Sequence, residues 1–143
     1  MNGTHHDLQA MAHFISCYGL HRGVQMAVCD GNGLFRLDIA AVAWHVTEDE
    51  PGIPDCFLTD EVASLDLIES SDRAMACIRA ISDVLDSAVC ETRTGPDTWV
   101  PDYIEHVSTW AMTPGIGQTK PPTVSEVIGR ILRAANHAQT TAA

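Results

Sequence analysis

The sequence predicts a mainly α fold, a single-domain bundle of about six helices with one small β-hairpin near residues 24–37. Three observations carry this prediction. Between Thr59 and Val89, the residues Ala74, Met75, Cys77, Ile78, Ile81, Val84 and Leu85 recur at three- and four-residue steps. That spacing gathers them on one broad helical stripe, with Asp72, Arg73, Arg79, Asp83 and Asp86 toward the other side. Near the C-terminus, Thr123 and Glu126 make a capping box. It opens a run in which Val124, Val127, Ile128, Ile131, Leu132 and Ala135 fit the helical template. Finally, Val24, Met26 and Val28 alternate, Asp30-Gly31-Asn32-Gly33 supplies turn chemistry, and Leu34-Phe35-Arg36-Leu37 returns.

In chain order, Asp7 is placed to cap a first helix from Leu8 to Tyr18, buried through Leu8, Met11, Ala12 and Ile15. Gly19 ends it, because glycine adopts positive φ without steric cost. The hairpin follows, and Asp38 then caps a short helix through Ile39, Ala40, Val42, Ala43 and Val46. Pro51, Gly52 and Pro54 mark Glu48–Asp55 as a loop. Thr59 caps the next helix, and Ser70-Ser71 divides it from the long apolar one, which is taken as the core staff. Glu91–Val100 reads as a loop around Gly95 and Pro96. Asp102 and Glu105 form a D-x-x-E capping box for a helix that turns Ile104, Val107, Trp110 and Ala111 inward and stops at Thr113-Pro114-Gly115. In the last helix Glu126 and Arg130 make an i,i+4 pair. Residues 1–6 and 139–143 are expected to fray.

A chain of 143 residues can bury a real core without staples. No run reaches the roughly 18 apolar residues of a membrane span. The start, MNGTHHDLQAMAHF, lacks the basic-then-apolar pattern of a secretory signal. Five cysteines at scattered spacing, with no C-x-x-C pair, read as reduced cytoplasmic thiols.

Charge carries the clearest functional signal. Nineteen acids against eight bases give a formal net of −11. From Leu37 through Asp72 there is no Lys or Arg, while Asp38, Glu48, Asp49, Glu50, Asp55, Asp60, Glu61, Asp66, Glu69 and Asp72 supply ten carboxylates. Such a surface repels phosphates and so disfavours direct nucleic-acid binding. It attracts a basic protein surface, or imitates a nucleic acid toward one.

The strings RLDIAAVAW, FLTDEVASLDLIESS, AMACIRAISDVLDS, PDYIEHVSTWAMTP and PPTVSEVIGRILRAA carry a resemblance. Spanning roughly Leu8 to Ala138, the chain resembles a domain-of-unknown-function family of small proteins from high-GC Gram-positive bacteria and their mobile elements. The resemblance implies a bacterial cytoplasmic setting and no particular reaction.

Each candidate chemistry stands against a plain structural role. His13, Cys17 and His21 stand at four-residue steps, yet a closed zinc site needs four ligands, and Gly19 breaks the helix before His21. The Asp30 turn lacks the oxygen ligands of a calcium loop, and Gly115–Lys120 lacks the ending and preceding strand of a phosphate loop. No metal or other cofactor is expected. Asp102 and His106 lie one turn apart, where a carboxylate can orient an imidazole. Cys77 sits in the core stripe, whereas Cys56 and Cys90 lie near loops as the more reactive thiols. Among Trp44, Trp99 and Trp110, any exposed ring marks an interface.

The expected function is a non-enzymatic acidic accessory or regulatory protein binding a basic protein partner. Its binding residues are Glu48, Asp49, Glu50, Asp55, Asp60, Glu61, Asp66 and Glu69, with a homodimer through the hairpin edge compatible. The alternative is a small enzyme or small-molecule-binding domain with a pocket at Tyr103, His106 and Trp110.

Overall fold

The computed structural model describes residues 3–48 and 52–141, in which seven helices and four short strands form. They are α1 (Gly3–Tyr18), β1 (Ala27–Cys29), β2 (Phe35–Leu37), α2 (Ile39–Thr47), α3 (Cys56–Thr59), α4 (Glu61–Glu69), α5 (Asp72–Asp83), β3 (Glu91–Gly95), β4 (Thr98–Pro101), α6 (Tyr103–Met112) and α7 (Val124–Thr141). The fold is mainly α, as the periodicity predicts, and it adds a one-turn helix and a second hairpin to the expected set.

The centre is α2 rather than the long stretch from Thr59 to Val89. Its sequence, IAAVAWHVT, holds no residue of fixed charge, and Ile39 through Trp44 are all buried. A helix apolar on every side has to be enclosed. Here α1, α5, α6 and α4 enclose it. The Trp44 ring meets Phe57 of α3 edge-on at 5.4 Å. By contrast α5 offers one face, burying Ala74, Cys77, Ile78 and Ile81 while Asp72, Arg73, Arg79 and Asp83 face solvent. It walls the core instead of occupying it. Asp38 caps α2 as expected, its Oδ1 accepting from Ala40 N at 2.8 Å.

The first and last helices pack against each other along the outside of this centre. Leu8, Met11, Ala12 and Ile15 of α1 and Val127, Ile131, Ala134 and Ala135 of α7 are buried. The His5 ring, also buried, donates through Nδ1 to Ala135 O at 2.8 Å. Because α1 begins at Gly3, His5 already lies within it and Asp7 is no cap. Instead Asp7 sits mid-helix and pairs with Arg73 of α5 at 2.8 Å. Gly19 ends α1 at φ +81, its N–H returning to Ile15 O. At the other terminus α7 continues helically to Thr141. Its buried stripe takes in Ala134 and leaves Leu132 and Val124 exposed. Nor does Arg130 pair with Glu126. It donates to Val84 O at 2.7 Å and reaches Asp86 at 3.5 Å.

Strands β1 and β2 pair antiparallel in the register Ala27↔Leu37, Val28↔Arg36 and Cys29↔Phe35. The Asp30 carboxylate closes their turn by accepting from Asn32 N and Leu34 N. The loop expected over Glu91–Val100 is a second hairpin, with Thr92 opposite Val100 and Arg93 opposite Trp99. Thr, Trp and Val favour strands, but nearly every residue here is exposed, so no alternating apolar signal advertises it. Local capping also departs from expectation. Asp60, not Thr59, caps α4, its carboxylate accepting from Ala63 N. Ser71 caps α5 through Ala74 N. Asp102 accepts from Glu105 N, but the return arm of the box is absent because Asp102 N donates to Cys90 O.

The α7 stripe gives the first test. Ile131→Ala should destabilise the fold by about 2–5 kcal/mol, the cost of emptying a closed site. Leu132→Ala should cost under about 0.5 kcal/mol. Urea unfolding of both variants measures the contrast.

Candidate functional site

Two regions hold the chemistry that the sequence singles out. The first is acidic. Asp55, Asp60, Glu61, Asp66 and Glu69 are exposed on α3, α4 and their junction, and Glu48 is half-buried at the end of α2. Asp49 and Glu50 lie outside the described residues. Among the described residues Arg73 pairs with Asp7 and Arg130 with Asp86, and neither cation neutralises the α4 carboxylates. The field extends beyond α4. Burial, Asp102 and Asp66 all push the Glu69 carboxyl above its usual range. Between α4 and α6 a cavity of about 290 Å³ brings Asp38, Glu61 and Glu105 to its wall. Val62, 70% exposed, adds an apolar side chain to this otherwise charged face.

Asp38 is the buried member of that group. Desolvation raises its pKa from 3.8 to about 6, opposed by hydrogen bonds from Ala40 and Ala41 N–H and from Ser108. Ser108 Oγ donates to it from α6 at 3.4 Å.

The second region surrounds His106. The ring is buried and both nitrogens are engaged, Nδ1 with Ser82 Oγ at 2.6 Å and Nε2 with Ser87 Oγ at 2.8 Å. A neutral imidazole donates through one nitrogen and accepts through the other. Burial lowers the His106 pKa, opposed by the Ser87 backbone carbonyl, so the neutral ring is favoured near pH 7. Asp102 does not orient it, since that carboxylate binds Glu105 N and Thr92 Oγ1. His106 and Trp110 share the wall of a cavity of about 430 Å³ with Ser87, Cys90, Pro114 and Ile116. Tyr103 lies elsewhere, in a separate cavity with Glu69 and Met75, and Arg79 covers its ring at 4.8 Å. The structure thus unites two members of the expected pocket and separates the third.

Sequence reasoning missed both serines. Ser82 left a trace: it falls on the apolar stripe of α5 between Ile78 and Leu85, where a hydroxyl needs a buried partner. Ser87 left none, because it lies in irregular chain beyond the helix.

The remaining candidates separate by burial. The His13 Nε2 to Cys17 Sγ distance is 3.7 Å, and His21 stands beyond the α1 terminus. No three His, Cys, Asp or Glu side chains converge on a metal position among the described residues. Burial pushes the Cys77 thiol up to about 12, as befits an inert core residue. Burial also raises Cys90, which weakens its case as a reactive thiol, while Cys56 is half-buried. Trp44 is buried, Trp110 half-buried with Arg130 over its ring at 5.8 Å, and Trp99 is 56% exposed on β4.

No helix among the described residues is long and apolar enough to cross a membrane. Comparison with known proteins finds no family model, curated protein or solved structure that matches the chain.

Asp38 gives a pH-dependent test. Its folded carboxyl holds a proton up to about pH 6, whereas an unfolded one releases it near 3.8, so the folded state binds more protons between those values. The Asp38 contribution to stability therefore falls as pH rises from about 4 to 6, by on the order of 3 kcal/mol, and stays low above. Asp38→Asn keeps a good cap and removes the charge. Thermal melts at several pH values should show wild type gaining on Asp38→Asn as pH falls through this window. Parallel pH profiles for the two proteins would refute the assignment.

Proposed function

We propose that this chain acts as a non-enzymatic acidic interaction protein, an accessory or regulatory factor that binds a basic surface on a protein partner. One observation carries the reading: the carboxylates of Asp55, Asp60, Glu61, Asp66 and Glu69 stand exposed on α3–α4 with no cation paired to them among the described residues. Burial first, and then the like charges of Asp102 and Asp66, raise the Glu69 carboxyl, and an arriving basic patch relieves the like-charge part of that cost. The exposed Val62 supplies an apolar contact inside the charged face. The resemblance to small proteins of high-GC Gram-positive bacteria suits a bacterial cytoplasmic partner. A homodimer along an outer edge of the β1–β2 hairpin is compatible with this arrangement.

Binding measured against a partner captured from the native host should weaken steadily between about 50 mM and about 500 mM salt, as exposed charges are screened. Neutralising Asp55, Asp66 and Glu69 to Asn, Asn and Gln should weaken it about two- to fivefold per charge, the range of an exposed ion pair. Affinity indifferent to both salt and substitution would remove the reading.

A second reading is a small-molecule site, favoured by the 430 Å³ cavity that His106 and Trp110 share. Cavities of roughly 300–1,000 Å³ hold small ligands when a few polar groups converge on an apolar wall. A metabolite screen by thermal shift should find a stabilising ligand whose effect Trp110→Ala abolishes. A shift that survives Trp110→Ala would place the ligand elsewhere.

A further inference from the structure

We propose that Ser87 is a nucleophile toward small neutral esters, with His106 as its general base and Ser82 as the group that positions the imidazole. This inference rests on the second, small-molecule reading of the 430 Å³ cavity, stands in place of the non-enzymatic one, and assigns that cavity a chemistry.

Geometry carries the argument. A serine hydroxyl becomes nucleophilic when an adjacent base accepts its proton and a third group holds that base. Here Ser87 Oγ lies 2.8 Å from His106 Nε2, and Ser82 Oγ lies 2.6 Å from Nδ1. The three differ in access. Ser82 and His106 are buried, while Ser87 is exposed and lines the cavity. In the tautomer that places the proton on Nδ1, that N–H donates to Ser82 Oγ and Nε2 accepts from the Ser87 hydroxyl. Burial keeps the ring neutral and available as a base at neutral pH. Trp110, Pro114 and Ile116 give the cavity an apolar wall, and Glu105 at its rim disfavours anionic substrates. A small neutral ester fits these conditions.

The steps balance without a redox partner. Ser87 Oγ attacks the carbonyl carbon as its proton passes to His106 Nε2. The bond to the alcohol oxygen breaks, that oxygen takes the proton from Nε2, and an acyl ester remains on Ser87. Water then attacks the acyl carbon, giving its proton to Nε2. The acid departs as Ser87 Oγ recovers the proton. One ester and one water become one acid and one alcohol.

The full chain should take a single adduct from an alkyl fluorophosphonate, located on Ser87 by peptide mass spectrometry, and should hydrolyse p-nitrophenyl acetate. Ser87→Ala, at an exposed position, should fold and lose both activities. His106→Gln should slow acylation by at least about 100-fold, the usual lower bound for general-base help. Ser82→Ala should lower kcat while leaving KM unchanged, a split that loosened packing alone would not give. Circular dichroism confirms that each variant is folded. The proposal is overturned if the native protein gives no adduct on Ser87, if the label lies on Cys90 instead, or if folded His106→Gln and Ser82→Ala both react at the native rate. A ligand that shifts melting through Trp110 without any Ser87 adduct would end the nucleophile while sparing the binding site. Absence of both would end both.

Discussion

The fold depends on enclosing a helix with no polar face. Because α2 is buried from Ile39 through Trp44, its first N–H groups cannot turn to water. An orphan donor in that position costs on the order of 1–3 kcal/mol. Asp38 resolves this at the expense of its own desolvation. Its side chain accepts from Ala40 N, its backbone N–H donates to Met26 O at 2.7 Å, and Ser108 reaches it from α6. One residue thus ties the chain entering the hairpin, through its backbone N–H, to the central helix and a wall helix, through its carboxylate. A charge buried in this way is tolerable only when hydrogen bonds converge on it.

Once α2 is central, the other helices need only one apolar face each, and their remaining faces are free to carry charge. The α4 helix shows the consequence most plainly: it buries Ser64 and Ile68 and turns Glu61, Asp66 and Glu69 outward. Acidic residues there cost the core nothing, and they set the sign of the field that an approaching molecule meets first.

The His106 cluster follows from the same packing. With α6 seated against α5, the imidazole enters a gap where an apolar side chain would have met two hydroxyls. A buried histidine with both nitrogens satisfied is stable as the neutral ring. That it opens onto a cavity at Ser87 is a product of where the chain goes after α5. The segment bends back so that Cys90 O can accept from Asp102 N at the head of α6.

Much of this was legible in the residues. The apolar periods of α5 and α7, the turn at Asp30–Gly33, the stop at Gly19 and the Asp38 cap are short-range signals, and short-range physics realises them. The acidity of Leu37–Asp72 was equally plain, because composition alone sets charge. Other features were decided across the fold. Asp7 looks like a cap until Arg73, 66 positions away, takes it as an ion-pair partner inside a longer helix. Leu132 fits the helical stripe as well as Ala134 does, yet the close approach of α1 favours the smaller side chain inside. The β3–β4 hairpin hides because both of its faces are exposed, and Ser87 meets His106 only after α5 and α6 pack. Sequence by itself determined the turn at Asp30–Gly33, the stop at Gly19, the Asp38 cap, the coiling of α5 and α7 and the sign of the surface, since these depend on neighbours within a few residues. Only tertiary structure decided which helix sits innermost and which hydroxyls reach the imidazole, because those contacts join residues the chain holds far apart.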